Sequence, residues 1–359
     1  MRYLYFVLFL SILISCGGGS NSDASNGNSD TPTPEQPQTE QTIDDEIERL
    51  AALQSFNTNS VKPQHDLKAQ GAVFQLGKAL FFSTDLSMQD DVACVSCHHP
   101  ELGGGDALSL PIGVDSLNKN MIGPGRTHDG ERSKDPLADG GPNVPRNAQT
   151  TFNLHVYTDH MFWDGRIEQL ADGIKTPDSI AKQADPNVGV DLVEAQARFP
   201  IVSTNEMFGH GSDAGKSNTE KRQLLINKLQ QKQTWLTLFS EAFASDNSDN
   251  AENLVTVDNI AKALAHYQKS QVFIENPWFD YLAGNKTAIS ESAKKGALLF
   301  YKPLGQGGYG CNTCHSGAGF TDNQFHNIAV PQIGRGKNTA AFDIGRALVT
   351  SLQQDKYSF

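Results

Sequence analysis

The chain has 359 residues and a formal net charge of −12, from 41 acidic and 29 basic side chains. An acidic net charge argues against nucleic acid as a partner. The length allows one large domain or two smaller ones, and the five cysteines carry most of the information about function.

The N-terminus predicts export. Arg2 precedes an apolar run, Tyr3 to Ile14, which is shorter than the roughly 20 residues of a membrane span and is typical of a signal peptide. The run leads into Leu13-Ile14-Ser15-Cys16, which resembles the lipobox of bacterial lipoproteins. We expect residues 1–16 to be a lipoprotein signal peptide, with Cys16 acylated and the protein held in the periplasm on a membrane, more specifically the outer membrane. The alternative is ordinary cleavage nearby with loss of Cys16.

Residues 17–41 predict a disordered tether. Gly, Ser, Asn, Asp, Thr, Pro and Gln dominate this segment, and it has almost no apolar side chains to bury. From about Thr42 the composition becomes that of a globular protein.

Three later segments predict helices. In Leu67–Phe82 one helical face carries Leu67, Gly71, Phe74, Lys78 and Phe81. In Ala288–Tyr301 one face carries Ile289, Ala293, Gly296 and Phe300. The third segment, Asn259–Ser270, lies between them, and its inward-facing residues are expected to be Ile260, Ala263, Leu264 and Tyr267. The first two segments share Gly, Lys, Ala, Leu and Phe just ahead of a cysteine pair, which indicates a diverged repeat.

Each repeat leads into a C-x-x-C-H motif, Cys94 to His98 and Cys311 to His315. In such a motif the two thiols, here Cys94 and Cys97 or Cys311 and Cys314, bond to the vinyl groups of one haem, and the histidine becomes an axial iron ligand. A redox dithiol would not need the histidine. A zinc site would place its two cysteine pairs closer together in the chain. The motifs therefore predict two covalently bound haems c.

These elements predict a mainly α protein with two cytochrome-c-like haem domains and long loops. We expect an N-terminal domain at 42–283 and a C-terminal domain at 284–359. Long runs of β alternation are missing from the sequence, whereas Gly- and Pro-rich loops are abundant.

Several short motifs accompany the haem motifs in a fixed order. They are Leu76-Gly77-Lys78 with Leu80-Phe81-Phe82, Gly103-Gly104-Gly105-Asp106, Pro145-Arg146-Asn147, Phe162-Trp163-Asp164-Gly165-Arg166, Glu194-Ala195-Gln196-Ala197, Asn205-Glu206-Met207-Phe208-Gly209, and Phe320-Thr321-Asp322 with Phe325-His326-Asn327. In this order they resemble the bacterial diheme cytochrome c peroxidases and a close relative, the diheme enzyme that matures methylamine dehydrogenase. The resemblance extends from about Ala69 to the C-terminus.

The resemblance implies a role for each matching residue. The haem on His98 is the peroxidatic one, and the haem on His315 accepts electrons from a small cytochrome c or cupredoxin. Trp163 occupies the position of a tryptophan between the haems. Glu206 and Gln196 match a distal pair, in which the carboxylate moves a proton during cleavage of the peroxide and the amide holds peroxide or water.

The resemblance also bears on calcium. Asn147 matches a residue near an inter-haem calcium site, although one side-chain oxygen supplies only a small part of the six to eight ligands that Ca²⁺ takes.

The chain departs from the family in three places. Val114 stands where many diheme peroxidases have a histidine that caps the peroxidatic iron. Insertions follow at 115–141 and 167–193, and the first contains His128, either a substitute iron ligand or, more commonly for a loop histidine, a solvated side chain. His99 is expected to be structural, and His155 and His160 have no assigned role. The family also continues beyond the position of Phe359, so the resemblance implies that the second domain is truncated.

The sequence thus predicts reduction of hydrogen peroxide to water. Two alternatives remain open: a diheme oxidase that modifies a partner protein or small molecule, and a diheme electron carrier without enzymatic activity.

Overall fold

The computed structural model describes residues 42–350 apart from 55, 64–69, 137, 181–182, 246–249, 334–342 and 344. The described part is mostly helical, as the sequence predicts. Its α-helices are α1 (Ile43–Leu53), α2 (Gly71–Phe82), α3 (Cys94–Cys97), α4 (Leu192–Gln196), α5 (Asn218–Gln230), α6 (Gln233–Phe243), α7 (Ala251–Leu254), α8 (Val257–Lys269), α9 (Pro277–Leu282), α10 (Glu291–Tyr301) and α11 (Ala347–Thr350). The predicted signal peptide, Cys16 and the tether lie outside the described residues.

The core forms where α2 packs against α8. Gly77 permits this approach, because a β-carbon at that position would lie 1.9 Å from the carbonyl oxygen of Ala263. The ring of Tyr267 on α8 then contacts Phe74 and Phe81 on α2, with centroid distances of 5.6 and 4.9 Å. The predicted inward face of α8 is confirmed, since all four of its predicted residues are buried.

The predicted faces of the two repeat helices are partly wrong. On α2, Phe74 and Phe81 are buried as expected, whereas Gly71 and Lys78 are exposed. On α10, the buried residues are Lys294 and Tyr301, whereas Ala293 and Gly296 face solvent. The face of α10 that is buried is the one against which α1 packs, and α1 supplies a carboxylate for Lys294.

The N-terminal helix α1 is well specified by its own sequence. The Thr42 side chain caps its first turn, and Asp45 returns a hydrogen bond to the Thr42 backbone, which completes a capping box. Ile47, Leu50 and Ala51 form its buried face. This helix was assigned to the first predicted domain, yet it packs against α10 of the second; the boundary at residue 283 stays a prediction.

A small antiparallel sheet lies ahead of α4. Its strands are β1 (His160–Met161), β2 (Ile167–Leu170) and β3 (Gly173–Lys175), in the order β1-β2-β3. Met161 pairs with Ile167, and Glu168 pairs with Lys175, whose ammonium lies 3.3 Å from the Glu168 carboxylate. The strands are too short to show as alternation in the sequence, so the sheet was not predicted.

In the part of the chain described here, we find no helix whose length and hydropathy would allow it to cross a membrane.

Candidate functional site

The first cysteine motif forms the single turn α3 and the residue after it. The Ser96 hydroxyl accepts a hydrogen bond from the backbone N–H of Ala93 at 3.1 Å, which fixes the start of the turn. Burial raises the pKa of both the Cys94 and Cys97 thiols to about 12. A reactive redox dithiol has a lowered thiol pKa, so the buried environment of these two cysteines differs from that of a redox dithiol.

His98 is held through one ring nitrogen. Its Nδ1 lies 3.1 Å from the carbonyl oxygen of Gly104 and 2.9 Å from that of Gln149. Because a carbonyl only accepts, Nδ1 carries the proton, and the lone pair of Nε2 is available to a metal. Burial lowers the pKa of His98, which keeps the imidazole neutral as an iron ligand must be.

The glycine-rich motif after His98 allows the Gly104 carbonyl to approach the His98 ring. Gly103 and Gly104 both adopt the left-handed conformation, with φ of 72° and 75°. A β-carbon on Gly104 would lie 2.8 Å from the Thr150 hydroxyl, so only glycine fits. Asp106 ends the motif as a buried residue whose pKa is raised by that burial.

Two backbone segments meet beside this motif, Ile112–Val114 and the π-helical turn Thr204–Phe208, which we call the Glu206 turn. The Val114 N–H donates to the Asn205 carbonyl at 3.2 Å. A β-carbon on Gly113 would lie 2.1 Å from the same carbonyl, so the two segments are in direct contact. Val114 itself is fully buried. The position of the family's capping histidine therefore lies beside the candidate acid.

Two side chains that the sequence did not point to hold Ile112–Val114 in place. Buried Arg126 donates to the carbonyls of Ile112 and Gly113 at 2.8 and 3.0 Å. Asn143 accepts from the Gly113 N–H at 2.9 Å and donates to the Val114 carbonyl at 3.0 Å. Arg126 lies in the insertion and Asn143 directly after it, where no motif marks them, so only the three-dimensional contacts reveal their role.

Glu206 is half-buried in the Glu206 turn. The Ser203 hydroxyl accepts a hydrogen bond from the backbone N–H of Glu206 at 3.3 Å and so caps the turn. Burial raises the pKa of Cys97, and the negative charge of Glu206 raises it further. Burial lowers the pKa of His98, and the charge of Glu206 partly opposes that decrease. The structure thus brings Glu206 near the first haem motif. Short π-helical turns are frequent at functional sites.

Gln196 is the last residue of α4 and is half-buried. Among the described residues there is no hydrogen bond between Gln196 and Glu206. Their pairing as a distal acid and amide stays a prediction.

Trp163 is more than half exposed, with 55% of its surface accessible, so it is not a core aromatic residue. Its indole N–H donates to the carbonyl of Asn147 at 2.9 Å. The Asn147 amide nitrogen in turn donates to the Leu108 carbonyl at 2.7 Å, which fixes the side chain that was proposed for calcium. The calcium site itself stays a prediction.

An ion-pair network anchors the segments on either side of Trp163. The Arg146 guanidinium lies 2.5 Å from the carboxylate of Asp164, and it also binds both carboxylate oxygens of Asp343, at 2.5 and 2.7 Å. Burial lowers the pKa of Arg146, but the two carboxylates outweigh it and raise the pKa overall. Arg346 extends the network by donating to the Asp164 carbonyl at 2.9 Å.

A pocket of about 200 Å³ opens next to the Glu206 turn, and His128, Asn143, Asn205 and His210 are among the residues that line it. His128 is only 6% exposed, and neither ring nitrogen has a hydrogen-bond partner among the described residues. The expectation of a solvated His128 is therefore wrong, because the side chain is buried. Ligation of iron by His128 stays a prediction.

The other histidines of the first half have structural contacts. The Nδ1 of His99 accepts from the backbone N–H of Glu101 at 3.2 Å, which confirms the expected structural role. His155 lies 2.8 Å from the Val61 carbonyl through Nε2. The ring of His160 packs against that of Phe325, with a centroid distance of 4.4 Å and an angle of 36° between the rings.

The second cysteine motif is more open than the first. Cys311 and His315 are exposed, and Cys314 is half-buried. The Nδ1 of His315 lies 3.2 Å from the Phe320 carbonyl, so Nε2 is again available to iron.

One cluster of potential metal ligands adjoins the second motif. Among the described residues, Cys314, Asp322 and His326 bring their ligand atoms within 4.8 Å of one another. The His326 ring lies 2.8 Å from the Asp322 carboxylate. Because Cys314 is one of the two thiols of a haem motif, we assign this cluster to the surroundings of the second haem.

Comparisons with known proteins show the family to which the chain belongs. A family model described as di-haem cytochrome c peroxidase matches residues 71–287. The chain is similar to the methylamine utilization protein MauG of Methylorubrum extorquens, with 30% identity over 265 residues that cover 73% of this chain and 55% of the relative. It is also similar to the cytochrome c551 peroxidase of Pseudomonas aeruginosa, with 26% identity over 285 residues, 79% of this chain and 62% of the relative. The chain thus spans less than two thirds of these relatives.

A solved structure shares the fold. The diheme peroxidase BthA from Burkholderia thailandensis superimposes with a TM-score of 0.51 and 18% sequence identity, over 80% of this chain and 62% of that chain.

Proposed function

Because this chain belongs to the di-haem cytochrome c peroxidase family, we propose that it reduces hydrogen peroxide to water. The reaction consumes two electrons and two protons and releases two water molecules. The observation that supports the proposal is the contact between Ile112–Val114 and the backbone of the Glu206 turn, which contains the proposed acid. The electron donor that we propose is a small cytochrome c or cupredoxin.

The residues at both motifs fit haem c. The proposed attachment and ligand residues are Cys94, Cys97 and His98 for the first haem and Cys311, Cys314 and His315 for the second. When bound, the haems supply the redox chemistry that delivers the two electrons to peroxide.

Glu206 is the proposed proton carrier. Splitting hydrogen peroxide requires a proton to move from one oxygen to the other, and a carboxylate performs such a transfer when it lies within hydrogen-bond reach. Gln196 holds peroxide or product water through its amide. Trp163, whose indole N–H donates to the Asn147 carbonyl, is the proposed electron relay between the two haems.

An oxidase that modifies a partner protein or small molecule is the second candidate. The similarity to MauG is at least as high as the similarity to the cytochrome c551 peroxidase, which favours keeping this alternative. Val114 in the place of a capping histidine agrees with it as well. A diheme electron carrier is the third candidate.

Steady-state turnover of hydrogen peroxide with a reduced small cytochrome tests the proposal. Glu206→Gln is expected to slow turnover by about 10²–10⁴-fold, as for the loss of a general acid–base, without changing the number of haems per chain. Glu131→Gln, at an exposed glutamate of the insertion, is the matched control and is expected to leave turnover unchanged. Wild-type protein that carries two haems but does not consume peroxide would favour the oxidase or the carrier.

We also propose that the protein is held in the periplasm on a membrane, the outer one, by a lipid on Cys16. Cys16→Ser is expected to release the protein into the soluble fraction or to block its processing. Recovery of the wild type wholly in the soluble fraction would rule the anchor out.

A further inference from the structure

The chain around α1 docks on the second repeat. We call Ile43–Gln54 together with Phe56 the N-terminal strap. The Asp44 carboxylate accepts a hydrogen bond from the Tyr281 hydroxyl at 2.6 Å and pairs with the Lys294 ammonium at 3.0 Å. Because Lys294 is buried, its charge requires such a partner. This contact fixes the start of the strap.

Further contacts hold the strap along the repeat. Ile47 and Leu50 form part of its buried face. Glu46 lies 3.6 Å from the ammonium of Lys302, and Glu48 pairs with Lys286. The strap therefore leads in a defined direction, towards the motif that follows α10.

The end of the strap reaches the second haem motif itself. The Asn312 amide donates from its nitrogen to the carbonyls of Phe300 and Tyr301, at 3.2 and 3.3 Å, in the orientation that satisfies all its partners. In that orientation its oxygen accepts from the Gln54 amide at 2.9 Å. Asn312 lies between the two cysteines of the motif, so the strap contacts the haem attachment sequence directly.

Phe56 extends this contact to the axial histidine. Its ring packs edge-on against Trp278, Phe279 and Phe320, with centroid distances of 6.4, 5.5 and 5.9 Å. The Phe320 carbonyl is the oxygen that lies 3.2 Å from the Nδ1 of His315. Phe56 of the strap thus contacts the residue whose carbonyl accepts the hydrogen bond from His315.

We propose that the N-terminal strap is a positioning element for His315, and that it thereby sets the reduction potential of the second haem. A hydrogen bond from Nδ1–H makes the imidazole a stronger electron donor, which stabilises the oxidised iron and lowers the potential. Phe56 keeps the Phe320 carbonyl in place for that bond. The inference rests on the proposed binding of haem at the second motif.

Spectroelectrochemical titration of the diheme protein tests the inference. Phe56→Ala is expected to shift the midpoint potential of the second haem to a more positive value and to leave that of the first unchanged. Phe56→Leu, which keeps an apolar side chain, is expected to give a smaller shift in the same direction. A variant with Cys311→Ala and Cys314→Ala, which lacks the second haem, identifies the potential of the first.

Leu53→Ala is the matched control, since Leu53 lies on the same strap but is 67% exposed. Unchanged potentials in Phe56→Ala and Phe56→Leu protein that retains two haems would overturn the inference, whatever the peroxide turnover. A shifted potential in protein that does not turn over peroxide would instead support the inference and refute the proposed function. A wild type without haem at Cys311 and Cys314 would overturn both.

Discussion

The two repeats begin with similar helices, yet the first is enclosed and the second is open. In the first, Gly77 lies against the backbone of α8, where there is no room for a β-carbon. In the second, no atom of the described residues outside the helix lies within 4 Å of the place that a β-carbon on the corresponding Gly296 would take. The same local sequence therefore serves two environments, and the long-range partner of each helix decides which.

The two haem motifs also differ in burial, and again the first is the more enclosed. His98 is half-buried and has two carbonyl partners, whereas His315 is exposed and has one. Within the described residues, the first motif is therefore the more enclosed of the two.

The first prediction concerns the iron ligands, and its expected effect is the largest. Valine has no lone pair, so the first haem of the oxidised protein is expected to be high-spin and to react with peroxide without prior reduction. Val114→His is expected to supply a sixth ligand, convert this haem to low-spin and abolish the prompt reaction. Electron paramagnetic resonance and stopped-flow absorption measure both effects.

His128→Ala is the control for that prediction and is expected to keep the high-spin signal. A wild type that is wholly low-spin, and becomes high-spin in His128→Ala, would identify His128 as the ligand instead.

The second prediction compares the two glycines directly. Gly77→Ala is expected to destabilise the protein by about 3 kcal/mol or more, because the new methyl group overlaps the Ala263 carbonyl and the helices must separate. Gly296→Ala is expected to stabilise it by about 0.5–1 kcal/mol, since alanine favours an exposed helix. Denaturant unfolding of the two variants measures the contrast, and equal effects would show that the repeats are packed alike.

The third prediction concerns the ion pairs that join Arg146 to Asp164, next to Trp163, and to Asp343. Arg146→Ala leaves the buried Asp164 carboxylate without its main partner and is expected to cost about 2–3 kcal/mol, less than a fully buried pair. Arg132→Ala removes a surface pair with Asp129, where Arg132 is 81% exposed, and is expected to cost less than about 0.5 kcal/mol. A similar small loss of unfolding free energy in both variants would contradict the link.

The fourth prediction has the smallest effect and depends on pH. Asp85, in the turn between α2 and the first motif, accepts from the Lys232 ammonium at 2.6 Å and the Trp235 indole at 2.7 Å. Burial raises the pKa of Asp85, but these partners outweigh it and hold the pKa below its usual value. Because the carboxylate is stabilised in the folded state, Asp85→Asn is expected to cost about 1–2 kcal/mol above about pH 4.

That difference in unfolding free energy is expected to disappear as the pH falls through the lowered pKa and the wild-type carboxyl becomes protonated. Unfolding curves of both proteins between pH 7 and pH 3 measure it. A difference that does not change with pH would mean that shape, not charge, matters at Asp85.

Local patterns in the sequence predicted the parts of the molecule that depend on neighbours in the chain. The C-x-x-C-H spacing places each histidine directly after its cysteines, and the structure leaves an Nε2 lone pair free in both. The 3.6-residue period of α8 identified its buried face for the same reason.

Contacts between distant parts of the chain could not be predicted in this way. Buried Lys294 on α10 pairs with Asp44, which lies 250 residues earlier in the chain. Arg146 meets Asp343 across most of the chain, although each residue by itself has the pattern of an ordinary surface charge. Such pairs become visible only when the fold brings them together.

The docking of the N-terminal strap has a consequence for the order of folding. The residues that bind Asp44 lie some 240 to 250 positions later in the chain. During synthesis the strap therefore has no partner until the second repeat has been made. Contacts of such high sequence separation form late and slow the folding of a domain. The second haem motif thus remains uncovered by the strap during the interval in which its cysteines must receive haem, and the last step of folding closes the chain over them.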